Sequence, residues 1–98
     1  MGSQSEYERL REDRAALRLQ FISTELDLAI TFCHIAIDAE DPAKAERNTT
    51  NAHRAYRSAS QYLETPTIGP QSSPEIDEKL RRLEQLLSDL DRIPRPKE

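Results

Sequence analysis

Between Ile76 and Leu90 the chain carries its plainest pattern: Ile76, Leu80, Leu83, Leu87 and Leu90 recur at spacings of four, three, four and three, and Leu86 widens the stripe. Side chains so spaced share one face of an α-helix, which predicts an amphipathic helix with a single side to bury. A second segment repeats the spacing with smaller groups, Ala45, Thr49, Ala52, Tyr56, Ala59 and Leu63, flanked by Ala55 and Tyr62. Small residues on a face let a neighbouring helix come close. The third segment differs. From Leu26 to Ile37, the apolar Leu26, Leu28, Ala29, Ile30, Phe32, Cys33, Ile35, Ala36 and Ile37 spread around most of the circumference, leaving Asp27, Thr31, His34 and Asp38 as a narrow polar strip. A helix apolar on most sides needs cover on most sides.

The stops fix the boundaries. Pro42 follows Asp41 and Pro74 follows Ser73, each a good N-cap residue before a proline whose missing N–H would be unpaired at the first helical position anyway. Ser5 with Glu8, or Ser3 with Glu6, offers a capping box for an earlier start. The predicted helices run over about residues 5–39, 42–64 and 74–92. Gly69, Pro66 and Pro70 fall in a linker over 65–73, and Pro94 and Pro96 close the last helix. Residues 1–4 and 93–98 are expected to be flexible termini. No segment alternates in the manner of a strand. The expected architecture is one all-α domain over 1–98, a three-helix bundle with a long first helix and an antiparallel second.

At about 1.5 Å per residue the first helix is roughly 50 Å long, the second roughly 35 Å and the third roughly 28 Å. The short turn at Ala39, Glu40 and Asp41 sends the second helix back along the first, and it runs out near the level of Leu17. The turns from Glu6 to Ala16 therefore project beyond the bundle. Through them Leu10 continues into Leu17, Phe21 and Leu28 as a seam. A projecting seam invites another chain.

Composition narrows the function classes. In 98 residues, 36% hydrophobic and 5% aromatic with no Trp, there is little material for a deep enzyme pocket. No apolar run is long enough to span a bilayer and the start lacks a secretory pattern, so the expectation is a cytoplasmic protein without a membrane partner. A single cysteine, Cys33, excludes an intrachain disulfide and multi-cysteine zinc motifs. Between Ala29 and Ile37 it reads as a small core hydrophobe.

Asp27, Thr31, His34 and Asp38 share one face of the first helix. A His and a carboxylate four apart are able to hold a divalent ion or poise an imidazole as a base, but a wet side on an otherwise apolar helix accounts for the same pattern. In the antiparallel hairpin Arg47 is expected near the level of His34 and Arg54 near Asp27, as ion-pair partners. The second helix is the one basic element, with Lys44, Arg47, Arg54 and Arg57 against Glu46 and Glu64, and Arg47, Asn51, Arg54, Ser58 and Gln61 share a face. Such a face suits nucleic acid, yet the net charge of -4 and the acidic neighbours favour pairing inside the bundle.

Ala52, Tyr56 and Ala59, with Pro66 beyond, resemble the second helix of a tetratricopeptide unit over about fifteen residues. The break at Asp41-Pro42 falls where that unit needs its first helix, and no second copy follows, so the spacing is read as close helix packing. The expected function is a non-enzymatic helical interaction module without cofactor or metal, pairing with itself as a homodimer or higher, or with another helical protein. Its seam is Leu10, Leu17, Phe21 and Leu28. The alternatives are a bundle enclosing a small molecule among Phe21, Phe32, Tyr56 and Tyr62, and nucleic-acid binding through the second helix.

Overall fold

The computed structural model describes residues 2–64 and 72–93, with side chains from Ser5 onward. Three helices account for nearly all of it: α1 Gly2–Asp38, α2 Pro42–Glu64 and α3 Pro74–Arg92. The molecule measures 68 × 19 × 19 Å, so it is about two helices wide and somewhat longer than α1 itself, which spans about 55 Å. The α2 and α3 spans agree with those read from the pattern. The expected 65–73 linker lies almost wholly outside the described residues, as does most of the expected 93–98 terminus.

Both proline-marked starts are built as their sequences require. The Asp41 Oδ1 accepts the Ala43 N–H at 3.0 Å, and the Asp41 carbonyl accepts from Ala45 at 3.0 Å. At α3 the extended Ser73 accepts the Ile76 N–H on Oγ at 3.2 Å, and Glu75 and Asp77 lie in the first turn, where carboxylates meet the positive end of the helix dipole. The last helix closes with the Ile93 N–H on the Leu90 carbonyl at 3.2 Å. The start of α1 departs from expectation: the helix runs through both candidate capping boxes and begins at Gly2. Ser, Gln and Glu cost only a few tenths of a kcal/mol in a helix interior, so a box that would suit a start does not impose one.

The core is a single stripe on α1 covered by two helices. Ile22, Leu26, Ala29, Cys33 and Ala36 are buried on α1, Ala52, Ala55 and Ala59 on α2, and Ile76, Leu83, Leu87 and Leu90 on α3. Leu19, Ile30, Phe32, Tyr56, Leu63, Leu80 and Leu86 pack around them, partly buried. The two covering helices work differently. The α3 helix inserts large aliphatic side chains, each contributing about 1.5–3 kcal/mol by leaving water, whereas the fully buried side chains of α2 are all alanines and bring its backbone close to α1. Packing of α2 and α3 against each other is slight beside what each makes with α1.

Burial on α1 is narrower than its composition. Its apolar residues lie all around the axis, but only the stripe from Ile22 to Ala36 is fully buried, Leu19, Ile30 and Phe32 are partly so, and Leu28 and Ile37 remain exposed. Two helices laid along a third cover its near side and leave a strip uncovered.

Candidate functional site

The level at which α2 ends is marked by two contacts. An Arg18 Nη2 hydrogen bonds to the Tyr62 carbonyl near the end of α2, and the Phe21 and Tyr62 rings meet with centroids 4.6 Å apart, tilted by 51°. The Arg18 charge there lies at the negative end of the α2 dipole, the favourable sense. Below this level residues 5–17 have no cover: all are exposed except Ala15, which is half-buried.

The four seam residues all lie open. Leu10 is 55% exposed, Leu17 64%, Phe21 39% and Leu28 43%. They occupy a line about a third of a turn round α1 from the core stripe, and Tyr7 and Tyr62, also exposed, extend it. Large apolar side chains scattered singly over a surface are ordinary, but a row along one helix edge is the form of an interaction surface. Around it the charges are balanced: in residues 5–18, Glu6, Glu8, Glu12 and Asp13 stand against Arg9, Arg11, Arg14 and Arg18. The Arg11 guanidinium rests over the Tyr7 ring, 4.7 Å from its centroid, a cation–π contact one turn apart.

The polar strip on the other side of α1 faces α3 at its lower end, which corrects the expected pairing with α2. Lys79 of α3 reaches Asp27 Oδ2 at 3.0 Å and the Ser23 hydroxyl at 2.7 Å, with Glu75 of its own helix at 3.2 Å. Asp27 thus pairs with Lys79 and not with Arg54. Level along the axis put Arg54 in reach; the angle around it decides otherwise, since Ser23 and Asp27 turn toward α3. The Thr31 hydroxyl bonds to the Asp27 carbonyl at 2.9 Å.

Higher up, His34 and Asp38 share an open hollow of about 360 Å³ with Thr31, Ile35, Ala39 and Lys44. Its cation is Lys44, and Arg47 belongs elsewhere. Arg47 and Arg54 line a second open hollow of about 490 Å³ with Ala43, Glu46, Thr50 and Asn51, all on α2 itself. The basic face read from the sequence is therefore assembled as far as Arg47, Asn51 and Arg54, with Glu46 among them. Phe21, Phe32, Tyr56 and Tyr62 line neither hollow. Among the described residues no group of three or more His, Cys, Asp and Glu side chains is placed to hold a metal ion, and no helix is long and apolar enough to cross a membrane. Cys33 is buried in the core, where desolvation pushes its thiol up to about 11; so protonated a thiol is a poor nucleophile.

The pattern of apolar residues already marked the seam and the α3 stripe, but Ile22 and Lys79 escaped it. Ile22 belongs to the core stripe four residues before Leu26, and its spacing was the available signal. For Lys79 the signal was Glu75 one turn earlier. Comparisons of the chain with protein-family models, curated proteins and solved structures give no match.

Proposed function

We propose that this chain is a cytoplasmic, non-enzymatic helical module that binds other protein through the seam of α1, and that its first partner is a second copy of itself. The observation that carries this reading is the exposed row Leu10, Leu17, Phe21 and Leu28, which runs from the projecting turns onto the flank of the bundle. A helix face of that kind gains free energy by leaving water against another helix, at roughly 25 cal/mol per Å² of apolar surface. The lone cysteine, held as a buried thiol, suits a reducing compartment.

Light scattering on the purified chain tests it. The expected mass is close to twice 11.3 kDa at micromolar concentration, falling toward the single-chain value on dilution. A single-chain mass that persists at high concentration overturns self-association.

A further inference from the structure

The exposed line on α1 has the period of a coiled-coil seam, with Leu10, Leu17 and Thr24 at the d positions of a heptad and Arg14, Phe21 and Leu28 at the a positions. All six are exposed in the single chain. Half of this seam stands on the projecting turns and half on the flank of the bundle, and the two halves match in length. The projecting run 5–17 is about 20 Å long, which is also the length of the stretch 21–33, where α2 and α3 leave the Phe21 and Leu28 side of α1 exposed.

A second copy laid antiparallel, with the two-fold axis at the level of Leu19, brings each projecting half onto the other's flank. Leu10 then meets the partner's Leu28 and Leu17 meets the partner's Phe21, each contact made twice by symmetry. Arg14 falls opposite the partner's Thr24, whose hydroxyl accepts a guanidinium N–H. Tyr62, already against Phe21, comes beside the partner's Leu17. Sliding the copy by one heptad sets Leu17 against Arg14 in one direction and Phe21 against Thr24 in the other, so this antiparallel register is the one that pairs the four large apolar residues among themselves. A parallel, in-register copy pairs them too, but it stacks Arg14 on Arg14 inside the seam, where like charges leave water without compensation. It also leaves the projecting turns supported only by each other, at a length where isolated helices are marginal; the antiparallel copy lays them on a bundle already ordered.

We propose that two copies exchange their projecting halves in this way, so that residues 5–17 of each chain dock antiparallel along residues 21–33 of the other as a fourth helix of its bundle. This rests on the self-association reading and adds its direction and register. The apolar layers select the register, because the margins of the seam are mixed in sign. Arg11 faces the partner's Glu25, and Glu6 the partner's His34, both complementary. Asp13 comes level with the partner's Asp27, a carboxylate answered in its own chain by Lys79 at 3.0 Å. Gln20 meets Gln20 and Arg18 meets Arg18 across the two-fold, and each Arg18 stays engaged with the end of its own α2.

Leu10→Cys and Leu28→Cys test the register, and since both leucines are exposed the variants keep the core intact. Oxidised together at micromolar concentration, L10C and L28C are expected to give a covalent dimer. Neither alone gives one, because like positions stand about 27 Å apart along the axis, and the thiol of the wild-type chain is buried. A second measurement reads the margin. Arg11→Glu and Glu25→Arg each turn two attractive pairs repulsive and are expected to raise the dissociation constant of the homodimer roughly tenfold, while an equimolar mixture of the two restores dimer. A dimeric wild-type mass with L10C cross-linking to itself, or with no cross-link in the mixture and no rescue, overturns the antiparallel exchange and leaves self-association standing. A single-chain mass for the wild type overturns both.

Discussion

The Phe21 ring lies against the Tyr62 ring at a centroid distance of 4.6 Å, and this contact divides α1 into two lengths with different work. Above it the helix is the central member of a bundle. Below Leu19 no other helix covers it, and Leu10 and Leu17 stand exposed.

The two lengths answer differently to substitution. Leu17→Asp, at a residue 64% exposed, is expected to leave the unfolding free energy of the dilute chain within about 0.5 kcal/mol and to abolish the dimeric mass. Ile22→Ala, one turn higher and fully buried, is expected to cost about 2–5 kcal/mol. Urea unfolding below the dissociation concentration, with light scattering above it, checks both. A Leu17→Asp chain that melts early would place that residue in the core.

Lys79 ties α3 to α1 with a pH dependence of definite sign. Its hydrogen bond to Asp27 raises the ammonium pKa; desolvation opposes this, and the hydrogen bond to Glu75 adds to the rise. A folded-state value raised above the unfolded one gives stability that is complete below the ordinary lysine value of 10.5 and is lost as pH climbs through the folded value. The pair is partly solvated, so the contribution is about 1 kcal/mol or less. The stability difference between wild type and Lys79→Met should shrink toward zero above that pH; a difference that grew would reverse the assignment.

Cys33 supplies a clock for opening of the bundle. With the thiol buried and raised to about 11, alkylation at pH 8 should proceed only as fast as the core opens, while the urea-unfolded chain is labelled at once. Mass spectrometry of timed iodoacetamide reactions reads the rate. Prompt labelling of the folded chain would show that α2 and α3 leave the middle of α1 open.

The strip of His34 and Asp38 is expected to behave as a wetted surface. His34→Ala should change stability by no more than about 0.5 kcal/mol, and zinc, manganese or nickel should leave the melting temperature unchanged, because an ion held only by the folded chain must raise it. A stoichiometric site lost in His34→Ala would assign metal chemistry to that hollow.

What the sequence made legible followed from signals that are both local and unambiguous. Asp41-Pro42 and Ser73-Pro74 mark starts because proline removes the donor that a helix interior needs, and the α3 stripe has one solution. The Ser5 box was local but permissive, and a helix passed through it. Asp27 and Arg54 failed as a pair for another reason. Height along a hairpin follows from counting residues, whereas the angle at which a third helix docks depends on the shapes of all the facing side chains, so the reach of Lys79 to Asp27 was visible only in three dimensions. The seam was legible as a line of apolar positions, and helix lengths left Leu10 beyond the bundle; Phe21 and Leu28 lie level with the covering helices and are exposed because of the angle at which those helices dock, which counting residues does not give.

The alanines of α2 give the two covering helices unequal freedom to drift. On α3 the buried positions hold Ile76, Leu83, Leu87 and Leu90, and exchange among isoleucine, leucine and methionine changes local fill by little. At Ala52, Ala55 and Ala59 an added methyl group has nowhere to go, so it displaces a whole helix. Over many generations of substitution α3 would wander in sequence while α2 stayed pinned to alanine, glycine and serine, and distant descendants of this chain would be traced more surely by their smallest residues than by their largest.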